Sequence, residues 1–291
     1  MNWVWFVYST LGLASVYAVI ALGVVIVYRT NRVLPFHVGQ VGIFCAYLFT
    51  SIWIPTGGGP FEFMLAVVAV IATSVALGLV LHVLIDRWGA RYGHFTGTVV
   101  TIAAATFMIG LMSFIWTGQV RQFRLLEGKV SFVGVNLSLN GLLVIAIGIF
   151  VFVAMLLWLR RSRVGIDMQA ISNNPRLAEF RGIPVGARLI TAWVASTMLS
   201  AIGGIMISSL SVVSLEGSAV GISAIIAAIL GGMFSMPGAV VGALVLATGE
   251  NLVTTFFDPR YSQVVPVLML VLLLTLRPSG LTGRVEEISR V

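Results

Sequence analysis

Nine long apolar stretches divide this 291-residue chain, and they constrain its fold more than any other feature. A helix needs about 20 apolar residues to cross the hydrocarbon core of a bilayer. Hydrophobic residues make up 59% of the chain and charged residues 9%, whereas soluble domains carry about 25% charged residues. The pattern predicts an all-α, polytopic transmembrane helix bundle of about eight or nine spans. The predicted apolar stretches are 3–28, 36–54, 61–85, 95–116, 140–159, 189–210, 221–234, 238–257 and 261–276.

One predicted stretch, 221–234, is too short to cross a bilayer at full thickness. Two arrangements fit it. In the first, a short or re-entrant segment near 221–237 forms a hairpin with 238–257, turned at Ser235–Gly238. In the second, the two stretches are separate spans.

The cations are divided unequally between the two sides of such a bundle. Loops on the cytoplasmic side of membrane proteins are enriched in Lys and Arg. With the N-terminus outside, 13 of the 17 Lys and Arg residues fall on the inner side, so the sequence predicts an N-out, C-in orientation. The net charge of +7 then reflects membrane topology and gives no indication of nucleic-acid binding. The four cations left outside are Arg121, Arg124, Lys129 and Arg260.

The ends of the chain and its tryptophans agree with this topology. The N-terminal stretch has no basic region before it and no small-residue cleavage site after it, so we expect a first span and not a removed signal peptide. All seven tryptophans, Trp193 among them, lie within a few residues of a predicted span end. This placement is typical of an interfacial aromatic belt.

The sequence lacks the common motifs of enzymes. Lys129 is the only lysine, and its surroundings are not a glycine-rich phosphate loop, so we expect no ATP site on this chain. His37, His82 and His94 lie on different segments, and Cys45 is the only cysteine, so no metal site is predicted. Neither a zinc-protease helix nor a nucleophile elbow occurs. The chain is therefore not predicted to be an enzyme.

Two groups of polar residues inside apolar stretches are candidates for a solute path, because ionisable groups in lipid are costly and usually functional. The first is PFHVGQVG at 35–42, where a proline and two glycines weaken the helix beside His37 and Gln40, with Gly39 between them. It fits either a broken helix near a cavity or a helix start whose histidine reaches the headgroups. The second is Glu250 with Asn251, where the carboxylate lines a water-filled path, pairs with a partner or lies nearer the outer interface.

A basic insert at 160–188 interrupts the apolar pattern and holds six arginines. Within it, Asn174 is a good N-cap, Pro175 a good first helical residue and Gly182 a good stop, which predicts a two-turn helix at 175–181. Such a helix is unstable alone and must dock on something. Its own bundle, the lipid surface and a cytoplasmic partner all fit. The residues predicted to make the contact are Asn174, Pro175, Leu177, Glu179, Phe180, Arg181 and Gly182.

Small residues recur at four-residue spacing in the last third of the chain, which lets helix backbones approach closely in lipid. Packing inside the bundle and a subunit interface both fit this pattern. The residues assigned to helix packing are Gly231, Gly232, Pro237, Gly238 and Gly242.

Four ordered motifs resemble the permease subunits of branched-chain amino acid ABC importers, of the LivH/LivM type. GLASVYAVIALGVVIVYRTNRVLPF from Gly12 resembles the family's first span and its entry into a broken second helix. AISNNPRLAEFRGIPV at 170–185 is similar to the family's cytoplasmic segment that couples to the ATPase. ILGGMFSMPGAVVGALVLATGEN at 229–251 resembles its glycine-rich signature, and LRPSGLTGR at 276–284 its ending.

The resemblance implies a single transmembrane permease domain over 1–291 in a bacterial inner membrane, with 160–188 as its coupling insert. It implies three kinds of partner: a second homologous permease subunit, cytoplasmic ATP-binding-cassette ATPases and a periplasmic solute-binding protein. ATP and Mg²⁺ would be bound by the ATPases, with no cofactor on this chain. The solute class would be branched-chain amino acids, urea, short amides or aromatic acids.

The chain departs from the family pattern at two places. Where the family commonly has N-F-A-H-G-E, this chain has PFHVGQ, which displaces the histidine by one position and replaces a carboxylate by the amide of Gln40. The third glycine of the signature is Phe234. Two other functions remain open from the residues: an ion-coupled secondary transporter that uses Glu250, and a membrane scaffold that transports nothing.

Overall fold

The computed structural model describes residues 3–54, 59–92, 94–132, 135–277 and 280–282. Over these ranges the chain is a bundle of α-helices with one small antiparallel sheet, which confirms the predicted all-α polytopic class. The cations Arg284 and Arg290, counted on the inner side, lie outside the described residues. The helices are α1 (Trp3–Asn31), α2 (Val38–Trp53), α3 (Pro60–Tyr92), α4 (His94–Trp116), α5 (Leu139–Arg161), α6 (Arg163–Asn173), α7 (Pro175–Phe180), α8 (Val185–Leu210), α9 (Val220–Gly231), α10 (Met236–Phe256) and α11 (Val265–Leu276).

Seven helical segments in the described ranges are long and apolar enough to cross a membrane. They are α1, α3, α4, α5, α8, α10 and the segment Pro259–Leu276, which joins a 3₁₀ turn to α11. Two shorter apolar segments are α2 and Leu215–Gly231, the latter a 3₁₀ turn that continues into α9. All nine predicted apolar stretches are therefore helical.

Helix α1 lies at the centre of the bundle. Among the 18 most apolar consecutive residues of each helix, 83% are buried in α1, 22% in α4 and 11% in α5. Close approach depends on small residues: a Cβ on Gly23 would lie 3.1 Å from the Ser196 carbonyl oxygen of α8. Near the other end of α1, Gly12 faces Leu210, the last residue of α8. These contacts show that α1 and α8 run antiparallel.

The chain between α1 and α2 is an unwound segment inside the bundle. It leaves α1 at Arg32, which has a φ of +55°, and stays non-helical up to Phe36. Helix α4 supplies the hydrogen bonds that a continuous helix would have made. The Thr101 hydroxyl donates to the Leu34 carbonyl oxygen at 2.8 Å and accepts from the Phe36 amide at 3.2 Å. Unwound backbone is tolerated at membrane depth when protein groups satisfy it in this way.

Helices α9 and α10 form an antiparallel hairpin built on close backbone contact. Gly232, with a φ of +103°, ends α9, and Ser235 caps α10 by accepting from the Gly238 amide at 3.0 Å. Pro237 occupies the first turn of α10, where its missing amide proton costs nothing. The backbone of Gly231 touches that of Gly238, and Gly242 meets the Ala227 carbonyl. A side chain at any of these three glycines would keep the two helices apart.

The position of α9 decides between the two arrangements predicted for 221–234. Helix α8 ends beside the N-terminal part of α1, at the contact between Leu210 and Gly12. The turn after α9 lies beside the C-terminal end of α1, where the rings of Phe234 and Tyr28 are 5.4 Å apart. The chain from 211 to 231 therefore runs alongside α1 from about Gly12 to about Tyr28. This path favours two separate crossings over a re-entrant hairpin.

A small β-hairpin, β1 (Lys129–Phe132) and β2 (Val135–Ser138), stands at the end of the bundle that holds the N-terminus of α1. The segment before it is anchored to two helices, α2 and α5. Gln119 accepts from the Tyr47 hydroxyl at 2.9 Å, and Asn140 accepts from the Leu125 amide at 3.1 Å. The sequence did not predict this hairpin, because strands of four residues carry no long alternating pattern.

Candidate functional site

His37 lies at the N-terminal end of α2 and is fully buried. Its ring centroid is 5.6 Å from that of Trp193 in α8. Neither ring nitrogen has a hydrogen-bond partner. The structure buries His37 inside the bundle, directly after the unwound segment, which argues against contact with the headgroups. A role of this segment in a solute path stays a prediction.

Gln40 and Gly39 occupy the first turn of α2 with His37 but contact different neighbours. Gln40 is buried, and its Oε1 atom accepts no hydrogen bond. Gly39 packs on the segment leading into α9, where a Cβ would collide with the Ser218 carbonyl and lie 2.8 Å from the Gly221 amide nitrogen. The structure thus brings His37 and Gln40 together in one turn of helix, while Gly39 makes room for α9.

Trp193 and Ser196 of α8 are two further buried polar side chains that the sequence analysis missed. Both are fully buried, and neither the Trp193 indole nitrogen nor the Ser196 hydroxyl has a partner. Sequence reasoning placed Trp193 in the interfacial belt, which is wrong, because its ring faces His37 and not lipid. Ser196 packs against α1, where a Cβ on Gly23 would lie 3.1 Å from its Oγ atom. We call His37, Gln40 and Trp193 the α2–α8 polar cluster.

Glu250 and Asn251 join α10 to α1, away from the α2–α8 polar cluster. The Tyr17 hydroxyl donates to Glu250 Oε2 at 2.6 Å, and the Ser223 side chain of α9 lies beside this carboxyl group. The Asn251 amide donates to the Phe6 carbonyl oxygen at 3.0 Å and lies 2.7 Å from Thr10 Oγ1. Of the three settings predicted for Glu250, the structure shows pairing with partners inside the chain.

Helix α7 in the basic insert has the predicted caps. Asn174 Oδ1 accepts from the Leu177 amide at 3.1 Å, and Gly182, with a φ of +78°, ends the turn after Arg181. The helix spans Pro175–Phe180, one residue shorter than predicted.

Helix α7 has one face buried against the bundle and one face exposed. Ala178 is buried, whereas Leu177 is 61% exposed and Phe180 87% exposed. The charged neighbours Glu179 and Arg181 are exposed as well. The contact face predicted from sequence is therefore free of the chain's own bundle.

The described residues hold no group of three His, Cys, Asp or Glu side chains that could ligate a metal ion. What the interior offers instead is neutral hydrogen-bonding groups, in the α2–α8 polar cluster, and one hydrogen-bonded carboxyl group, Glu250. Such groups can bind a polar solute but provide no nucleophile with an adjacent base among them.

The chain matches known transport proteins over most of its length. Residues 6–274 match the family model described as branched-chain amino acid transport system / permease component. The chain is 27% identical over 289 residues to the high-affinity branched-chain amino acid transport system permease protein BraD of Pseudomonas aeruginosa, covering 95% of this chain and 94% of the relative. It is 26% identical over 285 residues to the probable branched-chain amino acid transport permease protein LivH of Methanocaldococcus jannaschii, covering 93% and 89%.

A third relative matches over a shorter region. The permease protein LivH of Escherichia coli K12 is 32% identical over 145 residues, which cover 48% of this chain and 47% of the relative. No solved structure matches the chain. The matches confirm the resemblance proposed from the four motifs, the permease role and the multi-pass inner-membrane location.

Proposed function

Since the chain belongs to the family of branched-chain amino acid transport permeases, we propose that it forms the membrane path of an ATP-binding-cassette importer. Its solute is a branched-chain amino acid or a related small solute such as urea, a short amide or an aromatic acid. A second homologous permease subunit and a periplasmic solute-binding protein complete the path. Separate cytoplasmic ATPases bind ATP and Mg²⁺, so this chain performs no covalent chemistry.

The free face of α7 is the observation that carries the proposal. A six-residue helix does not persist in water by itself, and here Asn174, Gly182 and the buried Ala178 hold it in place. The insert nevertheless leaves Phe180 almost fully exposed. Aromatic residues, phenylalanine among them, and arginine are enriched at protein–protein interfaces. We assign this face to the cytoplasmic ATPase.

The contacts of the insert provide a route from α7 to the interior. Helix α7 follows α6, and α6 packs on α1, α5 and α8. Arg32, the first residue of the unwound segment after α1, donates to the Ser172 carbonyl oxygen of α6 at 3.3 Å. ATP-driven movement of α7 would then bias the bundle between outward-open and inward-open states, which is alternating access.

The substitution Phe180→Asp tests the contact face. We expect the complete complex to lose at least about tenfold of its solute-stimulated ATPase activity, because a charge replaces an apolar interface anchor. Phe180→Leu, which keeps an apolar side chain, is the matched control and should retain most of the activity. Both variants are measured in proteoliposomes after checking that membrane insertion is unchanged.

Co-purification distinguishes an ATP-driven importer from a membrane scaffold and from an ion-coupled transporter. A stable complex with an ATPase that carries a phosphate-binding loop is expected for the wild type and should weaken in Phe180→Asp. Consistent absence of such a subunit, or unchanged coupling in Phe180→Asp, would contradict the assignment and favour a scaffold or an ion-coupled transporter.

A further inference from the structure

We propose that Arg32 is a positioning residue that links the basic insert at 160–188 to the hairpin of α9 and α10, so that movement of the insert displaces the hairpin as well. Arg32 acts through two other residues, Ser172 of α6 and Phe234 of the turn between α9 and α10. The inference rests on the proposed function and deepens it by naming a side chain that carries the movement.

Three elements meet at the Arg32 side chain. Its Nη2 atom donates to the Ser172 carbonyl oxygen at 3.3 Å, and its guanidinium carbon lies 4.3 Å from the centroid of the Phe234 ring. An arginine can make both contacts at once, because its planar group stacks on an aromatic ring with one face and donates hydrogen bonds at its edge. The side chain therefore bridges α6 and the α9–α10 turn from a position just after α1.

The backbone of Arg32 adopts a conformation that favours glycine. Its φ is +55°, and its amide donates to the Tyr28 carbonyl oxygen at 2.9 Å, which ends α1. Glycine or asparagine is usual at such a helix end, since a side chain in this conformation has a steric cost. The cost indicates that the Arg32 side chain contributes something that glycine could not, and the two contacts are that contribution.

The contact with α6 falls at the joint between α6 and α7. Ser172 lies in the last turn of α6, where the final carbonyl groups of a helix have no intrahelical partner and a cation suits the negative end of the helix dipole. Asn174, which caps α7, is only two residues further along the chain. Movement of α7 therefore reaches the carbonyl group that Arg32 holds through a very short piece of chain.

The contact with Phe234 falls on a turn whose backbone is fixed by hydrogen bonds. The Ser235 amide donates to the Gly232 carbonyl oxygen at 2.9 Å. From further along the chain, the Leu281 amide donates to the Leu230 carbonyl oxygen at 2.8 Å, which satisfies one of the last carbonyl groups of α9. A displacement of the Phe234 ring is therefore passed to the turn as a unit, with the adjoining ends of α9 and α10.

Helix packing connects the insert to this hairpin mainly through α1. Helix α6 packs on α1, α5 and α8, whereas α9 packs on α1, α2, α10 and α11. Coupling between distant parts of a protein is carried by contiguous contacts of this kind. The Arg32 side chain adds a direct connection between the two elements, so that insert and hairpin move together when the bundle changes state.

The test measures the ratio of solute taken up to ATP hydrolysed by the complete complex in proteoliposomes. The probe is whichever of L-leucine, urea, acetamide and benzoate the wild type takes up. Arg32→Gln and Phe234→Leu should each lower the ratio about two- to fivefold, the range expected for one exposed cation–π contact, because ATP hydrolysis would then move the insert without the hairpin. The double variant should lower it no further, since both changes break the same contact. Phe234→Tyr keeps the aromatic ring and should retain the wild-type ratio.

The matched controls are Arg260→Gln and Phe257→Leu, exposed residues of the same two types beyond the opposite end of α10, which should leave the ratio unchanged. Losses that multiply in the double variant would overturn the link while the importer proposal stands. So would an unchanged ratio in both single variants, even with a parallel fall in uptake and ATP hydrolysis, since Arg32 would then only stabilise the fold. No ATP-dependent uptake of any of the four probes by the wild type would refute the proposed function and the link with it.

Discussion

At the scale of single residues, Glu250 brings a carboxyl group into the bundle, and its hydrogen bonds determine what it can do. Tyr17 of α1 donates to it at 2.6 Å, and Ser223 of α9 lies beside it. The carboxyl group therefore lies where α1, α9 and α10 meet. A carboxyl group that is hydrogen-bonded within its own chain is suited to a structural role, whereas ion coupling needs a carboxylate that can exchange its partner during transport.

The substitution Glu250→Gln distinguishes these two roles. We expect uptake by the reconstituted complex to stay within about threefold of wild type, because an amide oxygen can still accept from Tyr17. Glu250→Leu should lower the free energy of unfolding by about 1–3 kcal/mol, since it leaves the Tyr17 hydroxyl unpaired. Thermal denaturation in detergent measures the second effect. Loss of uptake in Glu250→Gln, with wild-type uptake that persists without the ATPases, would identify an ion-coupled transporter.

Thr101 of α4 stabilises the unwound segment between α1 and α2 through side-chain hydrogen bonds. Thr101→Val keeps the shape of the side chain but removes its hydrogen bonds to Leu34 and Phe36. We expect a loss of about 0.5–1.5 kcal/mol of stability, because each of two partly buried backbone groups loses one hydrogen bond. The Phe36 amide and the Leu34 carbonyl then bond only to each other, at 3.1 Å. Thr106→Val is the matched control on α4, since Thr106 is exposed and bonds only within its own helix, to Ile102. Equal melting temperatures for the two variants would show that the segment does not depend on α4.

At the scale of elements, the hairpin of α9 and α10 depends on three glycines where no side chain fits. Gly242→Val should lower the stability by about 1–3 kcal/mol, because the added atoms collide with the Ala227 carbonyl of α9. Gly110→Val on α4 is the control, since a Cβ there meets nothing within 4 Å. The midpoint of thermal unfolding in detergent is the measurement. A similar midpoint for both variants would mean that the α9–α10 contact can open without cost.

The elements also show where sequence reasoning succeeds and where it cannot. The nine apolar stretches and the caps of α7 are local patterns, and a local pattern can be read from neighbouring residues. The unwound segment was partly predictable, because Pro35 and Gly39 weaken a helix. Its stabilisation by Thr101 was not, since Thr101 and Leu34 lie 67 residues apart and only the packing of α4 brings them together.

The candidate site was also predicted only in part, because some of its features are local in sequence and others depend on packing. His37 and Gln40 could be selected because they are polar residues inside an apolar stretch. Trp193 was assigned to the wrong environment, because a tryptophan near a span end looks the same in sequence whether it faces lipid or a buried histidine. The difference depends on how α8 is rotated in the bundle, which is a property of its packing against α1 and α2.

At the scale of the whole molecule, the contacts divide the helix ends into two sides. One side holds the N-terminus of α1, the ends of α8 and α10, and the β-hairpin. The other side holds the basic insert and the turn between α9 and α10, where Arg32 lies 4.3 Å from the ring of Phe234. Five of the six arginines of the insert are exposed, and Arg188 pairs with Asp167 at 2.8 Å. The distribution of cations predicts that this second side is cytoplasmic.

Labelling of single cysteines tests this orientation, and the chain is well suited to the experiment. Cys45, its only cysteine, is fully buried, so a membrane-impermeant maleimide should give little background. We expect Arg124→Cys, on the exposed segment before the β-hairpin, to react in intact spheroplasts. Arg176→Cys on α7 should react only after the membrane is opened, since the side with more arginines stays in the cytoplasm. The reverse pattern would place α7 outside the cell, where no cytoplasmic ATPase could reach Phe180, and would refute both the orientation and the coupling role of the insert.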